Sequence, residues 1–480
     1  MKNEKYFLNH HIKHGLKLSF HGEIYNHKQI NDFLSEYSNL DYLYGNDLFL
    51  ELIYYLITNN CDDYNNINKY LNENQKYKAI FNNKKTIKKE FNLLVSTLQA
   101  LMILNGDFVF SISDGENLSI SRDVIGSYLL YYGYNNKTEQ SQPLFSDNRK
   151  DLWAEGIENV KTLKPGHILF NNELYPPINP PWNKHKIINS NIYKNDQCLF
   201  KDENHYNRSK NELIKLLKLS VKRRVDDLDE VGLFFSGGVD STIIAKILKD
   251  ISKTKDLNIK LLTVGTENAK DIKISKKIAK DLELDLNYSL VNESIIYSEF
   301  EKLLNAIEKA SIIDLGVGMT IYLASELATE EGIKTILTGQ GADELFGGYN
   351  RYLESYTISE DFLENELSHD IEFMHEVNFQ RDIAIAKINN LNFRSPFLDK
   401  DFIKYALNLP SRYKIKSNDD KLRKHILRDM AIDLEIPQYI ANRPKKAAQY
   451  GSGIHKIITK KILSNFDYKQ YLKDLKMISF

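Results

Sequence analysis

Ser236, Gly237, Gly238, Asp240, Ser241 and Thr242 follow directly on an apolar run, Val231-Gly232-Leu233-Phe234-Phe235. Residues of these types, in this order, hold an anion. Two glycines let the backbone bend and come close to a ligand, and three hydroxyls supply donors. The apolar run reads as a buried strand, and Thr242 to about Ile251 as an amphipathic helix. A helix starting there turns its free N–H groups and the positive end of its dipole onto whatever the loop contains. Asp240 is foreign to an anion site unless a divalent cation or a lysine offsets its charge. The chemistry implied is pyrophosphate binding with a cation at hand.

The lysine that follows the second glycine in a Walker loop is missing here. SGGxDS instead resembles the signature of the PP-loop ATP pyrophosphatases. That resemblance implies β- and γ-phosphates held in the loop while a nucleophile attacks the α-phosphate, giving an adenylated substrate and pyrophosphate.

A parallel sheet would have to position such a loop. From about Tyr206 strand and helix patterns alternate: helix Asn211–Val225, then the Val231 strand, strand Lys260–Val264, helix Asp271–Leu282, strand Leu286–Val291, helix Thr320–Glu331 and strand Thr335–Thr338. This order predicts an α/β domain with a parallel sheet and helices on both faces. Ligands in such sheets bind beyond the carboxyl ends of the strands. Three rich loops follow strands, Ser236–Asp240, Gly265–Asp271 and Gly339–Gly348, and can converge there. The first part reads differently. Short β-like runs (Leu16–Phe20, Gly106–Ile112, Leu118–Ser121, Leu129–Tyr134) around one helix-like stretch, Asp47–Ile57, predict an antiparallel-rich α+β domain. Pro176, Pro177, Pro180 and Pro181 mark an extended linker. The expected division is 1–175, a linker at 176–205, and 206–480.

The chain has 480 residues, 42% hydrophobic and 27% charged, with a formal net charge of -1. That is an ordinary composition for a soluble protein. It gives no global pull toward nucleic acid or an anionic membrane. Cys61 and Cys198 stand in unrelated surroundings, against a disulfide scaffold or a structural zinc site. No signal peptide and no membrane-spanning run are read, so the expected location is the cytoplasm.

Later motifs resemble the glutamine-dependent asparagine synthetases. Thr338-Gly339-Gln340-Gly341-Ala342-Asp343-Glu344-Leu345-Phe346-Gly347-Gly348-Tyr349 resembles the family's SGEGSDEVFGGY, and Arg394-Ser395-Pro396-Phe397-Leu398-Asp399 its RVPFLD. Lys424-His425-Ile426-Leu427-Arg428 is identical to a run in some members. Arg443-Pro444-Lys445 stands where the family has a catalytic lysine. The resemblance implies ATP and Mg²⁺ as cofactors. Phe235, Val264, Thr338 and Gly339 would line adenine and ribose, and Ser236, Gly237, Gly238, Asp240 and Ser241 would hold pyrophosphate. Asp271 would help place the nucleotide, Asp240 and Asp343 the metal, and Lys445 would stabilise the transferring phosphoryl. A fixed cation with a metal is what the charge flow of such a step needs.

The first part resembles the same family's glutaminase, an Ntn-hydrolase-type domain. His21-Gly22-Glu23-Ile24-Tyr25-Asn26 is similar to NGEIYN, Gly45-Asn46-Asp47 to the segment that holds glutamine's amino group, Arg122-Asp123-Val124-Ile125-Gly126 to GRDxxG, and Leu163-Lys164-Pro165-Gly166-His167 to a later turn. By resemblance His21, Gly22, Glu23 and Asp47 mark a degenerate glutamine site. Lys2 stands in place of the family's nucleophilic cysteine, the opening segments have no counterpart, and His21 replaces the oxyanion asparagine. The domain is therefore expected to be truncated and inactive.

At the acceptor end Gln340 replaces a glutamate, and Asp314 and Gly316 align with a threonine and an arginine that hold aspartate. These departures, with Ala447-Ala448-Gln449-Tyr450-Gly451-Ser452, look closer to a divergent branch that includes the asparagine synthetase domain-containing proteins. The implied activity is an AMP-forming amide ligase, with aspartate the acceptor by family default and Gln340, Asp343 and Lys445 at the chemistry. Its partners would be a small carboxylate, ammonia free or from a separate glutaminase subunit, and a second copy in a homodimer. Two other readings stay open: a same-fold adenylating synthetase with another acceptor, like the β-lactam synthetases, and a non-catalytic nucleotide-binding scaffold.

Overall fold

A computed structural model describes residues 11–37, 41–59, 89–134, 143–178, 180–183, 203–307, 311–444 and 448–474. The chain divides into two compact units, 1–180 and 181–480.

In the first unit, β1 (His11–Lys13), β2 (Leu16–Ile24), β3 (Gly106–Ser113), β4 (Leu118–Arg122), β5 (Tyr131–Gly133), β6 (Leu144–Ser146), β7 (Lys161–Thr162), β8 (Ile168–Phe170) and β9 (Glu173–Tyr175) form two sheets. Their orders are β1-β2-β3-β4-β8-β9 and β6-β5-β7, and every pairing is antiparallel. The period-2 alternation of side chains explains the layering. Phe108, Phe110 and Ile112 of β3 face a core with Phe49, Leu52 and Leu98 from the helices. Val109, between them, faces the other way, into a smaller cluster with Ile120, Leu130, Tyr132 and Leu169. The single helix expected here is one of several: His27–Ser35, Gly45–Thr58, Asn92–Ile103 and Arg149–Ala154. Asn92–Ile103 carries no amphipathic signal because Leu93 through Leu101 are all buried, whichever way they point,.

The second unit is built on β10 (Glu230–Phe234), β11 (Asn258–Gly265), β12 (Asp285–Leu290), β13 (Thr335–Leu337) and β14 (Asn392–Arg394), all parallel. The spatial order is β12-β11-β10-β13-β14. Leu233 of β10 pairs with Leu261 on one side and Leu337 on the other, and none of the three is exposed. The order runs outward in both directions from β10, so the topological switch lies between β10 and β13. The two richest motifs leave the carboxyl ends of these two strands. β14, too short to read from pattern, adds the fifth strand.

Helix boundaries correct the sequence reading in one place that matters. The helix expected from Thr320 starts at Ile312 and runs to Glu330, with Ser311 and Asp314 forming a reciprocal capping box,. Asp314 and Gly316 thus lie in the first turns of this helix. This helix is also long and apolar enough to cross a bilayer, contrary to the expectation that no stretch is. Leu315, Met319, Tyr322, Leu323 and Leu327 are nonetheless buried within the unit, as in a core helix.

Candidate active site

The loop after β10 closes as its residue types dictate. Phe235 continues the strand through N–H donation to Leu262 O (2.8 Å). Gly237 takes φ +64°, and a Cβ there would lie 2.6 Å from Ile274 Cγ2. Gly238 is the N-cap of the helix Val239–Ser252, and no side chain caps it. Its first-turn N–H groups therefore keep their capacity for an anion. The hydroxyls behave differently from expectation. Ser241 and Thr242 donate to Gly238 O (3.3 and 2.7 Å), and Ser236 Oγ accepts from Gly238 N–H (3.3 Å). They shape the loop, and Thr242 is fully buried.

The signature loop after β13 meets this one at the switch point. A Cβ on Gly339 would sit 3.3 Å from Asp240 Cβ and 3.6 Å from Ser241 N, so the two loops approach closely. Thr338 shares a hydroxyl hydrogen bond with Ser395 (2.9 Å). Gly341, at φ +92°, starts the short helix Ala342–Phe346, whose first turn holds Asp343 and Glu344. Asp240 and Asp343 converge on one cation, the ammonium of Lys424. Its Nζ lies 2.8 Å from both oxygens of Asp240 and 2.6 Å from Asp343 Oδ1, and its side chain has no exposed surface. Gly348 is required beside them: a Cβ there would fall 1.8 Å from Asp343 Oδ1 and 2.4 Å from Lys424 Cε.

Lys424 arrives by a strained route. Arg423 and Lys424 both sit in the left-handed region, at φ +52° and +53°, which is costly without glycine. Asp420 holds the turn, accepting N–H groups of Leu422 and Arg423 (3.0 Å each) and lying 2.7 Å from His425 Nε2. Burial raises the Asp420 pKa, but the N–H groups of Arg423 and Lys416 and the ring of His425 outweigh it and leave it lowered. Burial depresses the His425 pKa more than Asp420 raises it.

A second cation closes the other side. Arg443 donates to Gly237 O (3.0 Å) and to Asp271 Oδ1 (2.8 Å). Gly451 packs on the same carboxylate, where a Cβ would lie 1.8 Å from Oδ2. Asp271 is thus tied to the turn after β10 through Arg443. Phe235 and Val264 are buried beneath the crevice. Lys445 lies outside the described residues.

The Gln340 side chain hydrogen-bonds Asp382. Asp382 takes Arg381 Nε at 2.7 Å, and Arg381 Nη1 reaches Asp314 at 3.0 Å. A π turn, His375–Phe379, precedes Arg381 and also sends Asn378 Nδ2 to Glu344 (3.0 Å), the kind of distortion found at functional sites. Burial, and then Asp343, raise the Glu344 pKa. Gly316 lies under His455, whose Nδ1 would be 2.4 Å from a Cβ. A side chain at that helix position would meet His455, and a guanidinium reaches the same turn of the helix from Arg381, at Asp314.

In the first unit, His21, Gly22 and Glu23 lie together on β2, and Asp47 is exposed in the first turn of the helix Gly45–Thr58. His21 sets its ring edge-on to Tyr128, 5.0 Å between centroids. Partial burial lowers its pKa more than Asp147 raises it.

The family model described as asparagine synthase matches residues 212–363 and 357–470, the stretch that carries every element of this crevice after its first strand and the strand itself. A Methanocaldococcus jannaschii protein named as an asparagine synthetase (glutamine-hydrolyzing) is 33% identical over 455 residues, covering 85% of this chain and 80% of that one. The chain belongs to the asparagine synthase family. The nodule asparagine synthetase (glutamine-hydrolyzing) of Pisum sativum is 28% identical over 73% of this chain, which spans 58% of that relative. Among solved structures, an NMN synthetase from Francisella tularensis is 11% identical and covers 57% of this chain and 87% of that one, at a TM-score of 0.28. A superposition that loose carries no argument. Within the asparagine synthase frame, Lys424 is the residue that sequence reasoning passed over. Its run was noted for likeness alone, while the unbalanced charge of Asp240 already called for a neighbouring cation.

Proposed function

We propose that this chain is an ATP-dependent amide ligase that adenylates a carboxylate and passes the acyl group to ammonia, releasing AMP and pyrophosphate. The observation that carries this reading is the convergence of Asp240, Asp343 and Lys424 at the switch point, beside an uncapped helix N-terminus. The first-turn N–H groups of Val239–Ser252 would bind the β- and γ-phosphates. Lys424 and Arg443 would oppose the charge that grows on the pyrophosphate as the α-phosphorus bond breaks, and Lys445, two residues beyond Arg443, would act on the transferring phosphoryl.

Two carboxylates that already share one cation, together with phosphate oxygens, form a donor set suited to Mg²⁺. Asp240 and Asp343 would hold it, and when bound it supplies charge neutralisation on the phosphates. Aspartate is the acceptor by family, and the altered pocket around Asp314, Gly316 and Arg381 bears on that choice. The first unit would be a glutaminase-like domain without glutaminase activity. His21 at the register of the oxyanion asparagine supports this, so ammonia would come from solution or from another subunit.

The test is AMP and pyrophosphate formation by the full chain with MgATP and ammonium, with and without aspartate, beside Lys445→Ala. Aspartate-dependent AMP, lost in the variant, supports the whole reading. ADP and phosphate as products would sink it. AMP formation with other carboxylates but not aspartate would keep the ligase and move the acceptor.

A further inference from the structure

Arg428 is 3% exposed, and the hydrogen bonds of its guanidinium all go to main-chain carbonyls. Nε donates to Arg423 O (2.7 Å) and Nη2 to Leu422 O (2.6 Å). Nη1 donates to Ala441 O and to Arg443 O (2.8 Å). The first pair of carbonyls immediately precedes Lys424. The second pair belongs to the turn that presents Arg443. One planar group therefore fastens two backbone segments, each delivering a cation to the turn after β10: Lys424 to Asp240, which it shares with Asp343, and Arg443 to Gly237, which it links to Asp271.

We propose that Arg428 is a positioning residue that couples these two cations, so that Lys424 and Arg443 take their places on the pyrophosphate cradle together. The physical case is geometric. Four carbonyls from two chain segments, arranged around one plane, match the fixed fork of a guanidinium; an ammonium at the end of a flexible stem cannot span them. The left-handed pair Arg423–Lys424 needs an outside constraint to persist, and Arg428 holds the carbonyls of Leu422 and Arg423. Loss of the fork would leave four carbonyls short of a donor, those of Arg423 and Ala441 in buried contacts, and free both turns at once. The consequence for the ligand rests on the nucleotide reading above; the coupling itself does not.

The test uses the full chain with two independent readouts. Native-state hydrogen exchange of the wild type should show residues 420–424 and 441–444 opening as one unit, with a common dependence on denaturant. Arg428→Lys should lower protection in both segments together and weaken MgATP binding, measured by calorimetry, by about tenfold, or 1.4 kcal/mol. In an Arg443→Gln background, Arg428→Lys should cost less than it does alone, because part of the same linkage is already gone. Independent opening of the two turns in the wild type overturns the coupling, even if Arg428→Lys does not fold. Unchanged MgATP affinity, or full additivity with Arg443→Gln, overturns its role at the cradle. A wild-type chain that binds no MgATP would refute the nucleotide reading instead, while the exchange data still decide whether Arg428 joins the two turns.

Discussion

Lys424 is a buried cation that two carboxylates share. Its replacement by Met leaves Asp240 and Asp343 facing each other without it. Breaking a buried pair in this way costs about 3–5 kcal/mol. Lys424→Met is therefore expected to melt at lower temperature than the wild type and to regain more of that loss on adding Mg²⁺. Thermal unfolding with and without the metal reads this directly; equal Mg²⁺ responses would mean the two aspartates do not act on a common cation. A steric prediction stands beside it. Gly348→Ala puts a methyl group on Asp343 Oδ1 and Lys424 Cε, and strain of that kind typically costs about 1–3 kcal/mol. MgATP affinity should fall at least about tenfold with the overall fold intact, and an unchanged dissociation constant would count against the geometry. The turn after β10 was legible in the residues themselves, since glycine and hydroxyl spacing encode a local turn. Lys424 and Arg443 were not, because their contacts with Asp240 and Gly237 join chain segments about two hundred positions apart, and no local pattern records such a meeting.

Among the elements, the turn that presents Lys424 should be acid-sensitive. Asp420 and His425 both have folded pKa values below their ordinary ones, 3.8 and 6.5. A lowered folded pKa means the unfolded chain binds the proton first. The stability each group contributes is complete above its unfolded value and is lost as pH falls. His425 should act first, below about pH 6.5, and Asp420 only near pH 4 and under. Exchange protection of residues 416–425, corrected for intrinsic rates, is expected to decline between pH 7 and 5, and His425→Gln should flatten that decline. A flat wild-type profile would remove the histidine from the account. The parallel strands were legible from alternation of strand and helix patterns. The helix Ile312–Glu330 was read too short because Gly316 and Gly318, poor helix formers, sit in its first turns, where His455 and the Arg381 side chain pack against them. Tertiary packing there overrides local preference.

For the molecule as a whole, the expected nitrogen donor is ammonia. With MgATP and an accepted carboxylate, ammonium should support AMP formation and glutamine should not, unless a separate glutaminase is added. Release of glutamate from glutamine by the purified chain would overturn that expectation. Division into an antiparallel unit and a parallel one could be anticipated, since strand spacing and crossover helices leave different periods in a sequence. That Lys424 and Arg443 would meet the carboxylates of Asp240, Asp343 and Asp271 could not.

The strand order also has a consequence for synthesis on the ribosome. β10 is central, and its neighbours β11 and β13 are completed at Gly265 and Leu337, with β14 adding the outer strand only at Arg394. A nascent chain that has just exposed the loop after β10 has neither neighbour of that strand, and the cations at 424 and 443 have yet to be made. Contacts of such long sequence separation form slowly, and partly built parallel sheets expose apolar edges. The nucleotide, which needs both flanks and both cations, can therefore reward only a chain that is nearly finished. Its binding would act as a late clamp on folding rather than a guide to it.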